Sequence, residues 1–358
     1  MKIFYTASSA RHIRDFHGCV LERLHREGHS VTLACREAGG LSGPFEPMEL
    51  PYTKRFFSPR NLAVWMTLYK MFRRERYDMV LTHTALAGFL TRCALALAGK
   101  KETVCVHTAH GYLFGPGTPL TGKMTYPFER LCAPVTDAVL TMNAWDAAAA
   151  RKLVRKGGRV CPIPGMGVDL ARFRPAAPGE KAALRAALGL PDGRLLLYAA
   201  EFSKRKNHKP LLKAMREVAS RRPDTVLLLA GDGAKKAKLE KLARGCGNIV
   251  FLGYVQDTAP LLRACDGAVS PSLSEGLPHN VMEALACGLP VAASRVKGHT
   301  DLLGEANLFH PKKTSEIVRG IEAIAAEGQK PPFSGLGTAL CGKEDAAEAF
   351  IRVLSELI

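Results

Sequence analysis

Short apolar runs alternate along this chain with longer segments of helical periodicity. Residues 2–6, 31–35, 79–83, 103–108 and 138–141 each hold four to six mostly apolar positions and read as buried strands. Residues 12–27, with Phe16, Val20, Leu21 and Leu24 at helical spacing, read as one helix that Gly28 and the polar pair after it bring to an end. Helices are also predicted over 61–76 and 86–98. The second half repeats the rhythm, with strands at 195–199, 225–230, 249–251, 267–270 and 291–294. Helices at 209–220, 235–244, 259–264 and 280–286 separate them. Strands that alternate with helices in this way predict βαβ units, parallel sheets and right-handed crossovers. Pro162, Pro164, Gly165 and Gly167 crowd a stretch without periodicity, which reads as a linker. We therefore expect an α/β protein of two doubly wound, Rossmann-like domains facing across a cleft. Residues 328–341 read as a loop, and 344–357 as an amphipathic helix.

Composition agrees with a folded protein: 358 residues, 47% hydrophobic and 23% charged, with a length that suits two domains. The net charge of +17 is uneven. Residues 1–168 carry 23 Lys and Arg against 12 Asp and Glu, and the remainder 27 against 21. Such a surface attracts polyanions, whether nucleic acid, anionic lipid or a phosphorylated substrate. The ten cysteines include no C-x-x-C pair, which argues against zinc held by cysteine and for reduced core thiols. No apolar run reaches the ~18–20 residues of a spanning helix, and the N-terminus reads as a strand rather than a secretory signal. A cytoplasmic protein, peripheral on the inner face of the cell membrane, is the expectation.

The chemistry concentrates where the strand ending at Ser270 runs into Ser274-Glu275-Gly276-Leu277-Pro278-His279-Asn280 and then a helix. Ligands of open α/β sheets bind at the carboxyl ends of strands, and a helix N-terminus offers backbone N–H groups to an anion. Asn280 suits the cap of that helix. Glu275 and Glu283 stand eight positions apart, so two carboxylates can accept hydrogen bonds from the hydroxyls of one ligand.

The run S-E-G-L-P-x-N-x-x-E-A-L-A-C-G-L-P-V, from Ser274 to Val291, resembles the E-x7-E region of retaining glycosyltransferase family 4, which has the GT-B fold. In that family the first glutamate meets donor-sugar hydroxyls, the second the ribose, and the loop amides the diphosphate. The resemblance implies these roles for Glu275, Glu283 and the segment Gly276, Leu277, Pro278, His279, Asn280. Gly165-Met166-Gly167-Val168-Asp169 with Phe173 and Pro175 resembles the family's hinge. Gly231-Asp232-Gly233 resembles its G-x-G turn, and 250–255, ending at Tyr254-Val255, its nucleobase-flanking segment. One departure stands out: Glu201 occupies the place of an expected arginine, while Lys206 matches the diphosphate lysine. Capsule and exopolysaccharide members share the E-F/L-x-x-x-K-N form. Arg205 either restores the missing charge or is solvated.

In the N-terminal half, Arg11 and His12 follow the first strand, His83 ends another, and His107 and His110 end a third. His110-Gly111 matches the family's H-G, whose histidine approaches the donor sugar. Arg11, His12 and His83 are expected to bind the acceptor, and His17 to be either structural or functional. Residues 112–126 read as a long loop, a common form for a lid or a binding segment. Helix 61–76 combines Trp65, Met66, Tyr69, Met71 and Phe72 with Lys70, Arg73, Arg74 and Arg76, a pattern of either an interfacial helix or an ordinary half-buried one.

The resemblance implies an acceptor-binding domain over 1–168, a nucleotide-sugar-binding domain over 169–342, and a C-terminal helix, 343–358, returning to the first domain. The expected activity is retaining transfer of a hexose or N-acetylhexosamine from a UDP-sugar to a polyprenyl-diphosphate-linked sugar in surface polysaccharide assembly. The mechanism implied is front-face, with His110, Lys206 and Glu275 catalytic. No D-x-D occurs, so neither a metal nor another cofactor is expected. The expected partners are the UDP-sugar, the lipid-linked acceptor and an anionic membrane surface, and not nucleic acid, for which no recognition motif is present. A non-hydrolysing UDP-sugar epimerase and a silent membrane-associated scaffold are the alternatives. The sequence leaves the oligomeric state open.

Overall fold

The computed structural model describes all residues except 54, 55, 57, 100, 101, 116, 117, 119 and 327–339, and not the side chains of 120 and 121. Of the expected loops, 328–339 and positions 116, 117 and 119 thus lie outside the described residues. The strands are β1 (Lys2–Thr6), β2 (Ser30–Cys35), β3 (Glu46–Glu49), β4 (Met79–His83), β5 (Val104–Ala109), β6 (Ala138–Thr141), β7 (Arg159–Pro162), β8 (Arg194–Ala199), β9 (Thr225–Ala230), β10 (Ile249–Gly253), β11 (Gly267–Ser270), β12 (Val291–Ser294) and β13 (Leu308–Phe309). The helices are α1 (Ala10–Phe16), α2 (Gly18–Arg26), α3 (Pro59–Arg74), α4 (Ala85–Ala98), α5 (Leu120–Lys123), α6 (Tyr126–Cys132), α7 (Ala144–Leu153), α8 (Glu180–Ala187), α9 (His208–Arg221), α10 (Lys236–Ala243), α11 (Ala259–Ala264), α12 (His279–Ala286), α13 (Thr314–Ala325) and α14 (Lys343–Ser355).

Two compact units result, one of Met1–Gly167 with Cys341–Ile358 and one of Val168–Leu340. The first holds a parallel sheet in the order β3-β2-β1-β4-β5-β6-β7. The second holds a parallel sheet in the order β10-β9-β8-β11-β12-β13. Both are doubly wound, and strand order reverses between β1 and β4 in one and between β8 and β11 in the other. Loops at the carboxyl ends of those pairs are where such sheets bind ligands. The second sheet is apolar on both faces: Leu195, Leu197, Leu228 and Val291 belong to one cluster, and Leu196, Tyr198, Leu227 and Leu229 to the other. That two-sided burial explains why its strands read as continuous apolar runs.

Local geometry departs from the sequence reading in three places. The helix expected over 12–27 is two helices, because His17 leaves helical geometry (φ −114°, ψ −2°) where its ring turns inward. The loop expected over 112–126 contains α5 and leads straight into α6. Asn280 is not the cap of α12: the cap position is Pro278, without a side-chain hydrogen bond, and Asn280 lies in the first turn.

α14 packs on α2. Phe350, Ile351 and Leu354 on α14 are buried, as are Val20, Leu21 and Leu24 on α2. Arg159 Nη1 donates to the Glu356 carbonyl at 2.7 Å, and its Nη2 to the Glu356 carboxylate at 2.9 Å.

Candidate active site

In the second unit, the loops after β8 and β11 interlock. Tyr198, at the end of β8, donates its hydroxyl to the Lys206 carbonyl (2.8 Å) and lies 3.2 Å from Ser272 Oγ. Asn207 takes a left-handed conformation (φ 54°) and donates its side-chain amide to the carbonyls of Pro271 (2.9 Å) and Pro311 (2.8 Å). Leu273 N–H donates to the Arg205 carbonyl at 2.8 Å. This backbone clamp presents Lys206 and Arg205 to Glu275. Lys206 Nζ donates to Oε1 at 2.7 Å, and Arg205 Nη1 donates to Oε2 at 2.7 Å and to the Ser274 carbonyl at 3.1 Å. The Glu275 and Lys206 side chains are 7% and 13% exposed, whereas Arg205 is 47% exposed.

Burial would raise the Glu275 carboxyl, but Lys206 and Arg205 outweigh it and hold the group at about 2. Burial draws the Lys206 ammonium below its ordinary value, and the facing carboxylate opposes that shift. Glu201 is exposed, yet its charge also favours the ammonium form of Lys206. The residue in the expected arginine's place therefore adds negative rather than positive charge to the site.

Three glycines let the loops approach. A Cβ on Gly231 (φ +155°) would sit 2.1 Å from the Ala200 carbonyl oxygen, and one on Gly298 (φ +82°) 2.5 Å from the Gly276 carbonyl oxygen. A Cβ on Gly233 (φ +149°) would sit 2.9 Å from the carbonyl oxygen of Phe202, whose N–H donates to the Asp232 carbonyl at 2.8 Å. Gly231 is thus a packing residue for the β8 loop. Beneath the loop, the fully buried His299 ring lies 3.1 Å from Ser270 Oγ through Nε2 and 2.8 Å from the Ser294 carbonyl through Nδ1. His299 joins β11 to β12, a role the sequence did not signal. α12 then starts at His279, and the positive end of the helix dipole there favours an anion. Leu277 packs on the core, Pro278 is the cap position, and Glu283 lies on the same helix as Asn280. Tyr254, directly after β10, is 61% exposed.

In the first unit the loops after β1, β4 and β5 gather histidines. His12 and His110 rings are 4.8 Å apart edge-on, and His17 and His83 lie 4.5 Å apart. His83 is fully buried, stacked on Tyr5, with Nδ1 3.1 Å from His110 Nε2. The direct acceptor contact expected of His83 is closed to it by this burial; it touches His110 instead. Arg11 is exposed and lies 3.5 Å from Asp15. His107 is buried, with Nδ1 2.9 Å from Thr82 Oγ1. A cavity of about 220 Å³ borders the cluster, lined among others by Thr84, His107, His110, Tyr112 and Glu129. Thr84 is held at φ +63°, a costly conformation for a β-branched residue. At the cavity wall Arg92 Nη2 donates to both carboxylate oxygens of Glu129, at 3.0 and 2.9 Å, in a buried ion pair. Its signal in the sequence was one arginine inside the otherwise apolar segment Ala85–Ala98.

Two family models match: "Glycosyltransferase Family 4" over residues 19–172 and "Glycosyl transferases group 1" over 180–331. The putative glycosyltransferase EpsD of Bacillus subtilis (strain 168) is 33% identical over 307 residues, covering 84% of this chain and 81% of its own. The chain belongs to glycosyltransferase family 4. It is a hexosyltransferase with the GT-B fold. An Escherichia coli relative, UDP-Gal:alpha-D-GlcNAc-diphosphoundecaprenol alpha-1,3-galactosyltransferase, is 29% identical over 301 residues (79% and 76% of the two chains). Among solved structures, sucrose-phosphate synthase from Thermosynechococcus elongatus aligns with a TM-score of 0.81 at 21% identity over 100% and 99% of the two chains. Anabaena Alr3699/HepE in complex with UDP aligns at 0.73 and 19%, over 99% and 100%. These structural likenesses carry the fold alone.

Proposed function

We propose that this glycosyltransferase moves a hexose or N-acetylhexosamine from a UDP-sugar, with retention, to a polyprenyl-diphosphate-linked sugar in surface polysaccharide assembly. The observation that carries the donor side is the Lys206–Glu275–Arg205 constellation beside the N-terminus of α12. Glu275 accepts hydrogen bonds from the sugar hydroxyls. Lys206, Arg205 and the N–H groups of Gly276, Leu277, His279 and Asn280 take the diphosphate, whose negative charge competes with Glu275 for the same two cations. As the glycosidic bond breaks, charge grows on the leaving diphosphate. A preorganised lysine and helix N-terminus stabilise that charge more than the ground state. The departing phosphate oxygen takes the acceptor hydroxyl's proton on the same face of the sugar, so no protein nucleophile is needed. Glu283 meets the ribose, Tyr254 the base, and His110 the donor sugar. The cationic charge round the diphosphate is supplied by the protein, so transfer requires no metal.

The E. coli relative named for UDP-Gal and a diphosphoundecaprenol acceptor supports UDP as the donor nucleotide. That relative and the basic first unit support a lipid-linked acceptor at an anionic membrane surface, with Arg11 and His12 on the acceptor side. Among the described residues no helix is long and apolar enough to cross a membrane. Leu62 and Met66 on α3, Leu113 and Met124 beside α5 and α6, and Leu131 in α6 are exposed and would supply apolar contacts. Trp65, Tyr69 and Phe72, by contrast, pack on the core. The matches to glycosyltransferases weigh against the epimerase alternative.

A screen of tritiated UDP- and GDP-sugars with undecaprenyl-diphosphate sugars tests the reading, comparing wild type with Glu275→Ala. Transfer from a UDP-sugar that the variant loses is the expected result. Equal transfer by the variant would remove Glu275 from the site, and use of GDP-sugars alone would overturn the donor.

A further inference from the structure

Where α4 meets α6, two thiols face each other that sugar transfer does not use. Phe89, Arg92 and Cys93 share one face of α4 at i, i+3 and i+4. Each meets a residue of α6. The Phe89 and Phe128 rings are 4.7 Å apart, Arg92 holds a Glu129 oxygen at 2.9 Å, and Cys93 Sγ lies 3.8 Å from Cys132 Sγ. Cys132 Sγ also lies 3.9 Å from the Phe89 carbonyl oxygen. The ring contact and the ion pair thus set the two helices so that sulfurs 39 positions apart in sequence come into contact. Both cysteines are free thiols. Cys132 is buried and Cys93 half-buried, so a small oxidant meets the pair from the Cys93 side.

We propose that Cys93 and Cys132 form a modification site, at which hydrogen peroxide converts the two thiols into a reversible disulfide that ties α6 to α4. A disulfide bond is about 2.0 Å long, so sulfurs at 3.8 Å have about 1.8 Å to close. A turn of χ1 at the half-buried Cys93 and a small shift of the short helix α6 supply that closure. Cys93 is the attacking sulfur. The Cys132 thiol donates to it, and together with the Arg92 charge draws the Cys93 thiol below its ordinary value, while the same contact and burial push Cys132 up. The Cys93 thiolate attacks one peroxide oxygen, the O–O bond breaks, hydroxide leaves, and Cys93 becomes a sulfenic acid. The Cys132 sulfur then attacks the Cys93 sulfur, the S–S bond forms, the S–O bond breaks, and a second hydroxide leaves. Each hydroxide takes one of the two thiol protons. Two electrons thus pass from sulfur to peroxide, and two waters are released. Exchange with a dithiol reverses the bond, as for the transient, redox-sensing disulfides of reducing compartments. α6 also carries Glu129, which lines the cavity with Tyr112 and His107, so the bond pins one wall of that cavity. The inference does not depend on the proposed transfer reaction.

The test treats the reduced full chain with one equivalent of hydrogen peroxide, blocks the remaining thiols with N-ethylmaleimide, and maps the unreduced digest by mass spectrometry. The expected result is a peptide pair joined from Cys93 to Cys132 and returned to free thiols by dithiothreitol. Cys161 and Cys246, also half-buried, should carry the blocking group instead. Cys93→Ser should lose the link entirely and, at a half-buried position, keep the fold. Cys132→Ala should lose it too and accumulate sulfenic acid at Cys93, trapped by dimedone, because no second thiol resolves it. Circular dichroism of each variant separates a lost link from lost folding. Wild type in which Cys93 and Cys132 stay as blocked thiols under peroxide, or join other cysteines, would overturn the site. A folded Cys132→Ala without dimedone at Cys93 would overturn Cys93 as the attacking sulfur.

Discussion

Lys206 meets one carboxylate oxygen of Glu275 at 2.7 Å, while the other oxygen receives Arg205 at the same distance. Two residues 69 positions apart thus form a nearly buried ion pair at the point where the second sheet reverses its strand order. Replacing Lys206 leaves a buried carboxylate with only the half-exposed Arg205. Lys206→Met is expected to lower kcat by about 10²–10³, the size typical of one lost transition-state donor. Initial rates at saturating donor check this, and an unchanged kcat would remove Lys206 from catalysis.

The same pair sets a response to acid. Glu275 titrates at about 2 when folded, against 4.5 when free. A depressed carboxyl contributes stability that is complete above its unfolded value and disappears as pH falls through its folded value. Glu275→Gln should therefore flatten the pH dependence of urea unfolding between about pH 5 and 2 relative to wild type. Parallel curves for the two proteins would contradict the pairing.

Gly298 carries a prediction about shape rather than charge. Alanine there would place Cβ 2.5 Å from the Gly276 carbonyl oxygen at φ +82°. Gly298→Ala should cost about 1–3 kcal/mol of stability and displace the 275–280 loop. Donor KM and thermal midpoint report both, and a variant with wild-type values for each would show that the loop tolerates the push.

Arg92 and Glu129 test the other unit. Removing one partner of a buried pair costs about 3–5 kcal/mol, whereas replacing both by apolar groups is often neutral. Arg92→Met alone should destabilise by that amount, and Arg92→Met with Glu129→Leu should recover most of it. Chemical denaturation of both proteins decides, and additive losses would mean the two residues do not act as a pair.

Chelation addresses the diphosphate. If lysine and helix amides supply all the charge it needs, transfer should continue unchanged in excess EDTA. Activity abolished by EDTA and restored by Mn²⁺ or Mg²⁺ would show that a metal takes part in the step.

Much of the donor side was legible in the sequence because its parts lie in short contiguous runs. Glu275 stands out by the turn that follows a buried strand, and Lys206 by its resemblance to the family's diphosphate lysine. The residues that hold them were not legible. Asn207 clamps two carbonyls from loops distant in sequence, and His299 joins two strands through ring nitrogens whose partners only the fold supplies. β3 escaped because Glu46, Pro47 and Glu49 on an edge strand lack an apolar run. α7 escaped because its alanines make a weak stripe, though Asn143, whose side chain accepts from Asp146 N–H, marks its start. The split at His17 likewise depends on Tyr5, a partner from another element.

The return of α14 to the first unit has a consequence for the order of events on the ribosome. Gly167 leaves that unit and Cys341 re-enters it, and a Cβ on Gly167 would lie 2.5 Å from the Gly342 carbonyl oxygen. Phe350 reaches the histidine cluster, its ring 6.1 Å from that of His83. The first unit to be synthesised is therefore the last that can be completed. Its nascent chain waits, with the α2 face that α14 will cover still open, while residues 168–340 are made and can fold as a unit. A ribosome that stops short of the last helix releases a protein whose second unit is whole and whose first is not.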